Sequence, residues 1–237
     1  MLQAPSIRAI PFDRVWPSSM TTELLTEPQR QHLASISSVR HLQRRGILFA
    51  ADTVADSVFI VSHGVMKSFR ELPSGRRRVV AFLFPSDVMG LAEQGRYVNT
   101  AQALTAATVY CIPLDVLKES FRRDVSLQFQ FLCKVTHELR EAQRQTLAVG
   151  RRDAPGKLAM FLETLRRNRS LREGNGSHGA IEIPMSRTDI ANYLGLSHEA
   201  VSRAAGRLAR LGLVAFPDRH HVEILDPTRL HRLATAL

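Results

Sequence analysis

The sequence predicts an α+β chain, and three observations predict it. Short β-rich runs punctuated by turn residues fill about 39–113, and a long helical pattern with an apolar seam runs from after Asp124 to about Gly150. The stretch from Ser186 to Val214 then carries two short helical patterns meeting at a glycine, followed by a hairpin pattern. A chain of 237 residues suits two modest domains better than one. The expected units are a loose arm over 1–20, a β-domain over 21–123, a long helix over 124–150 and a winged helix-turn-helix over 151–237.

The first twenty residues carry Pro5, Pro11 and Pro17 and no apolar run, which predicts an arm and not a secretion signal. Thr26 to Ser35 reads as a short helix. Five strand runs follow: Ile47–Phe49, Val58–Val61, Val65–Arg70, Val79–Phe84 and Val109–Ile112. Gly46, Asp52, His63-Gly64, Pro73 to Gly75, Pro85 to Asp87 and Gly95 punctuate them, a spacing that fits a small sandwich, roll or barrel. In the long helix Leu132, Val135, Leu139, Ala142, Thr146 and Val149 alternate spacings of three and four, a heptad seam suited to a partner helix. Leu127, Phe129 and Phe131 lie off that seam and are expected to pack on the β-domain of the same chain. Arg151 to Pro155 reads as a hinge, with Asp153 able to cap and Pro155 suited to a first helical turn. The helix predicted over Gly156–Arg169 turns Leu158, Phe161, Leu162 and Leu165 inward, and Arg166 to Arg169 would favour its dipole. A polar loop from Arg172 to Gly179 leads to a short strand over Ile181–Pro184.

The helix pair holds the chemistry. Ser186 sits at an N-cap position with Asp189 three residues on, Ile190, Ala191 and Leu194 form one apolar face, and Gly195 supplies the turn. Ser197 caps the second helix, whose inward face is Val201, Ala204, Ala205 and Leu208. Such a second helix can lie in a DNA major groove. Glu199, Ser202 and Arg203, spaced i, i+3, i+4, point the same way. Arg donates two bonds to guanine, Glu accepts from the cytosine amino group and Ser adapts to either role, so these three are the candidate base readers. Ser186, Arg187, Ser197, His198, Arg207 and Arg210 are expected on the phosphates. Leu213–Phe216 and Val222–Leu225 form a wing whose tip brings Arg219 to the backbone.

The run Glu199-Ala-Val-Ser202-Arg203, with Gly206-Arg207-Leu208 after it, resembles the recognition helix of the Crp/Fnr superfamily of transcription regulators, and its E-x-x-S-R arrangement is that of the Fnr and FixK branches. The resemblance is strong over about 150–226 and continues more weakly over about 30–150. It implies that the β-domain is a cyclic-nucleotide-binding-type β-roll, sensor-like in role, and that the long helix is a dimerisation helix. It further implies a palindromic double-stranded site of TTGA(T/C) type bound by a homodimer, with activation through RNA polymerase. FixK-like members are associated with low-oxygen respiration and nitrogen fixation.

The resemblance also exposes departures. Cyclic-nucleotide-binding relatives carry a ribose-binding Glu just after the glycine at the position of Gly90, and an Arg-Ser or Arg-Thr pair for the phosphate. Here those positions hold Leu91 and Asn99-Thr100, and only the nearby Arg96 could substitute. The oxygen-sensing Fnr cluster needs four cysteines, whereas this chain has Cys111 and Cys133 alone, without a C-x-x-C pair; buried packing is the expected role of both. His63 and His137 are the histidines weighed for haem, and a regulator switched by haem or another small effector other than a cyclic nucleotide is the alternative reading. No cofactor, metal or catalytic residue is assigned, since G-x-S-x-G, P-loop and H-E-x-x-H motifs are absent and His220-His221 beside Asp218 has no third ligand. A purely structural DNA-binding protein would leave the β-domain without a purpose.

Charge agrees with a polyanionic partner. The formal net charge is +10, +5 from residues 1–149 and +5 from the much shorter remainder. No apolar run approaches membrane-spanning length, and two cysteines without an export signal predict a cytoplasmic protein.

Overall fold

The computed structural model describes residues 26–92, 94–150, 153–173 and 179–235. The arm expected over 1–20 lies outside the described residues. A helix α1 (Glu27–Ser35) opens the described chain, fixed at its start by a capping box between Thr26 and Gln29. Eight strands follow: β1 (Ser38–Leu42), β2 (Ile47–Phe49), β3 (Ser57–His63), β4 (Met66–Glu71), β5 (Arg77–Leu83), β6 (Val88–Met89), β7 (Thr100–Ala103) and β8 (Ala107–Pro113). They pair antiparallel into two four-stranded sheets, ordered β1-β8-β3-β6 and β2-β7-β4-β5, which enclose one apolar interior as a roll. At the β3–β4 turn only glycine fits: Gly64 has φ +83, and a Cβ there would lie 2.3 Å from the Ala106 carbonyl oxygen.

Three strands escape the sequence pattern for physical reasons. β1 is a nearly all-exposed edge strand, SVRHL, without the alternation that marks a half-buried strand. β6 is two residues long, and β7 (TAQA) buries alanines in place of large apolar residues.

The helices α2 (Leu114–Arg123) and α3 (Val125–Gly150) follow the roll. Leu127 and Phe131 of α3 pack with Leu33, Val58, Ile112 and Leu117 beneath the roll. Phe129 does not join them. It is 50% exposed on the opposite face, beside Leu132 at 60% and Leu139 at 58%, because two residues turn a helix by more than half a revolution. The off-seam packing expected of Leu127 and Phe131 is present, and that expected of Phe129 is corrected.

The C-terminal part comprises α4 (Ala154–Glu173), β9 (Ile181–Glu182), α5 (Arg187–Leu194), α6 (His198–Arg210), β10 (Val214–Ala215), β11 (His221–Ile224) and α7 (Pro227–Thr235). Asp153 caps α4 by accepting from Gly156 N at 2.7 Å. α4 runs beyond Arg169, so Arg166 to Arg169 do not form its last turn. Arg166 instead holds Glu163 at 2.6 Å, and Arg169 donates to the carbonyls of Gly179 and Ala180. Residues 172–173 of the expected loop are helical, and 174–178 lie outside the described residues. Leu158, Leu162, Ile190, Leu194, Val201, Leu208 and Leu230 close the core of this part, in which Phe84 and Leu104 of the roll are also buried.

Candidate nucleic-acid interface

The local chemistry of α5 and α6 fixes their mutual angle. Ser186 Oγ accepts from Asp189 N at 3.0 Å while Asp189 Oδ2 accepts from Ser186 N at 3.2 Å and Oγ at 2.6 Å, a reciprocal cap. Gly195 ends α5 in the left-handed region at φ 65, with its N–H donating to Ala191 O. Ser197 Oγ then accepts from Ala200 N at 3.1 Å and starts α6. Val201, Ala204, Ala205 and Leu208 are buried, so the face left to solvent consists of Glu199, Ser202, Arg203, Gly206, Arg207 and Arg210, with Ala209 beside them. Three arginines and one carboxylate on a solvent-facing helix side make a surface for a polyanion with directional groups.

Glu199, Ser202 and Arg203 share the first turns of that face. The Glu199 carboxyl is held below the usual carboxylate range, first by its own backbone N–H and then by the Ser197 hydroxyl, so it is ionised and an acceptor at neutral pH. Arg207 is exposed, and Arg210 bends back so that its Nε donates to Gly206 O at 3.4 Å. His198 is exposed at the start of α6, and Arg219 is exposed in the wing turn, where Asp218 accepts from His220 N at 2.6 Å and pairs with the His221 ring at 2.8 Å. Ser186 uses its hydroxyl as donor and acceptor within the cap, and the Ser197 hydroxyl likewise accepts from Ala200 N while it turns its proton to Glu199, so neither has a proton left for a phosphate. The Arg187 guanidinium lies 5.0 Å from the Phe216 ring centroid, over the wing.

The exposed apolar line on α3 includes Val125, Phe129, Leu132, Val135 and Leu139, and Ala142 and Thr146 belong to the same seam further along the helix. Val149 lies in the helix, with its side chain outside what is described. The opposite side of α3 is engaged within the chain: Lys134 pairs with Asp87 at 2.8 Å, and Gln145 Nε2 reaches the carbonyls of Val79 and Tyr193 at 3.4 Å each.

The roll does not fit a cyclic nucleotide. Leu91 is exposed and has no group for a ribose hydroxyl, and the Thr100 hydroxyl accepts from Ala51 N at 3.0 Å. Arg96, the candidate substitute for a phosphate ligand, donates to the Asp52 carbonyl oxygen. Arg70 holds the Asp52 carboxylate at 3.2 Å. Tyr97 is buried, its ring stacked on Phe49 at 4.1 Å and its hydroxyl donating to Ser57 O at 2.9 Å. Cys111 is buried in the roll interior, and Cys133 on α3 is partly buried, which pushes its thiol pKa up. Among the described residues no three His, Cys, Asp or Glu side chains stand together as a metal site.

A roll joined to a winged helix-turn-helix with an open basic recognition face defines a DNA-binding regulator with a sensor-type domain. Residues 39–124 match the cyclic nucleotide-binding domain family, and residues 156–233 match the Crp-like helix-turn-helix domain family. The transcriptional activatory protein AadR of Rhodopseudomonas palustris is 37% identical over 194 residues, 80% of this chain and 78% of that protein. The nitrogen fixation regulation protein FixK of Bradyrhizobium diazoefficiens is 34% identical over 213 residues, 86% of this chain and 87% of that protein. The solved structure of FixK2 from Bradyrhizobium japonicum superposes with a TM-score of 0.77 at 29% identity, over 85% of this chain and 99% of that one. The chain belongs to the Crp/Fnr family, and it is a DNA-binding transcription regulator of that type with FixK-like relatives. No helix among the described residues is long and apolar enough to cross a membrane.

Proposed function

We propose that the protein is a homodimeric activator that reads an inverted repeat of TTGA(T/C) type, with no catalytic role of its own. The observation that carries this reading is the outward face of α6, where Glu199, Ser202 and Arg203 precede Arg207 and Arg210 on the solvent side. Arg203 reads guanine, Glu199 reads the neighbouring pair by accepting from cytosine, and Ser202 adapts between them. Arg207, Arg210, His198 and Arg219 serve the phosphates, Ser197 orients Glu199, and Arg187 supports the wing through Phe216. A second copy covers the α3 line from Leu132 through Val135, Leu139, Ala142, Thr146 and Val149. The support for a second copy as occupant is the heptad spacing, which matches itself across a two-fold axis.

In this reading RNA polymerase is the protein partner, the compartment is the cytoplasm, and the regulated genes belong to low-oxygen or nitrogen-fixing metabolism. The relative named as a nitrogen fixation regulation protein supports the gene assignment, and the one named as a transcriptional activatory protein supports activation. Because the polar groups around Tyr97 are engaged within the chain, abundance rather than a cyclic nucleotide sets activity. The test is selection of bound duplexes from a random pool by the purified protein. Enrichment of an inverted repeat of TTGA(T/C) half-sites supports the reading, and enrichment of direct repeats, single sites or nothing refutes it.

A further inference from the structure

The recognition domain is joined to the roll by the chain and also by a contact between β4–β5 and α4–α5. Most of that contact is apolar. Phe82 of β5 lies 4.9 Å from the Tyr193 ring and 5.8 Å from Phe161, while Val65, Phe84 and Leu104 pack on the same core. Apolar contact is non-directional and tolerates sliding. A charged pair stands within it. Lys67 Nζ of β4 donates to Asp189 Oδ1 of α5 at 2.6 Å, across 122 residues of sequence, with the two side chains only 11% and 13% exposed.

The pair is arranged so that its two ends have separate duties. Asp189 uses Oδ1 for Lys67 and Oδ2 for Ser186, so the same carboxylate that caps the first helix of the motif also anchors that helix to the roll. Burial pushes the Asp189 carboxyl up, but bonds from Lys67 and Ser186 outweigh it and hold the group ionised. A pair this buried gains little over apolar residues of similar volume, because desolvation offsets much of the attraction; what it adds is direction. Elsewhere the contact carries like charges: Arg78 of β5 lies near enough to Lys157 of α4 to help burial lower the Lys157 ammonium pKa. The Lys67–Asp189 pair is therefore a short, charged and directional link in a mostly apolar junction, alongside the longer bridge from Gln145 Nε2 to the Val79 and Tyr193 carbonyls.

We propose that Lys67 is a positioning residue for DNA recognition, whose bond to Asp189 fixes the angle of the helix-turn-helix on the roll and thereby the half-site spacing the dimer accepts. The inference rests on the dimeric, repeat-reading function above. In a dimer the separation of the two recognition helices depends on how each domain sits on its own roll, and half-site spacing is a geometric consequence of that separation. A single half-site needs only one intact α5–α6 unit, whose cap is made by Asp189 Oδ2, the oxygen that Lys67 does not touch.

The experiment measures affinities for the selected inverted repeat, for the same repeat with one base pair inserted or deleted between half-sites, and for a single half-site. Wild type, Lys67→Met and the double variant Lys67→Met/Asp189→Asn are compared, with melting temperature as the check on folding. The double variant removes both charges together, so no buried charge is left unpaired. Both variants are expected to bind the single half-site as wild type does, while the penalty for altered spacing falls by about tenfold, within the range typical of coupled sites. The inference is overturned if the folded variants keep the wild-type spacing penalty. It is equally overturned if the double variant fails to fold, since the pair would then serve stability alone. A wild-type protein without any spacing preference would instead refute the dimeric reading beneath it.

Discussion

The roll around Tyr97 and the outward face of α6 are both rich in polar groups, yet they have opposite fates. In the roll Arg96, Arg70, Thr100 and the Tyr97 hydroxyl all bond to groups of the same chain, and an aromatic ring stacks over Tyr97. On α6 Glu199, Ser202, Arg203 and Arg207 face solvent, with apolar residues on the inward side. Family membership alone makes both regions look like binding sites. Their hydrogen-bond partners separate them: polar groups committed within the chain make a scaffold, and polar groups pointing outward make an interface.

The outward face of α6 works only in a pair if a second copy covers the line on α3. Leu139→Asp puts a carboxylate into the apolar line on α3, where pairing with a second copy would leave it buried and unpaired. Sedimentation is expected to give monomer, and affinity for the inverted repeat is expected to fall by more than about 100-fold, because one-domain binding loses the avidity of two. A variant that stays dimeric with normal affinity shows that the line on α3 is not the interface.

Gly206 lies where the outward face of α6 would come nearest to DNA. It sits in mid-helix on the outward face, and a Cβ built there meets nothing within 4 Å in the chain. Gly206→Ala is therefore expected to raise stability by up to about 1 kcal/mol, read as a higher melting temperature. DNA affinity is expected to fall at the same time, because the added methyl stands between the helix and the groove. Gains in both quantities would mean that α6 does not approach DNA along that side.

The smallest expected effect is none at all. Cyclic AMP is expected to change neither the melting temperature nor DNA affinity, since Leu91 and Asn99 offer neither of the required bonds and Arg96 is engaged with Asp52. A ligand present at about 100 times its dissociation constant would stabilise the fold by about 2.7 kcal/mol, which thermal melting detects readily. A clear shift at millimolar cyclic AMP would mean that the Tyr97 region opens.

Elements built from local pattern are legible in the sequence. The caps at Ser186 and Ser197, the turn at Gly195 and the buried face of α6 all follow from residue type and spacing within a short stretch of chain. Strands whose inward residues are large and apolar are legible as well, while the polar edge β1 and the alanine-bearing β7 are not. Phe129 is legible too: it lies three residues before Leu132 and four after Val125, so the three-four spacing places it on the exposed seam and away from Leu127 and Phe131. Lys67 leaves no signal at all: nothing in M-K-S-F-R distinguishes an outward lysine from one that meets a carboxylate 122 residues away. Contacts set by the docking of two domains leave no periodic trace.

In the proposed complex the start of α6 reads bases and its later arginines hold backbone. Affinities of Arg203→Ala and Arg207→Ala for single-base-substituted inverted repeats at two salt concentrations separate these two roles. Arg203→Ala is expected to lose about 1–3 kcal/mol per half-site on the preferred sequence and much less where that guanine is already replaced, flattening preference at one position. Arg207→Ala is expected to weaken all sequences about equally and to reduce the salt slope by about 0.9 for each phosphate that is no longer neutralised. If Arg203→Ala keeps the full base preference while Arg207→Ala abolishes it, the helix lies in the groove about one turn away from the placement argued for Glu199, Ser202 and Arg203.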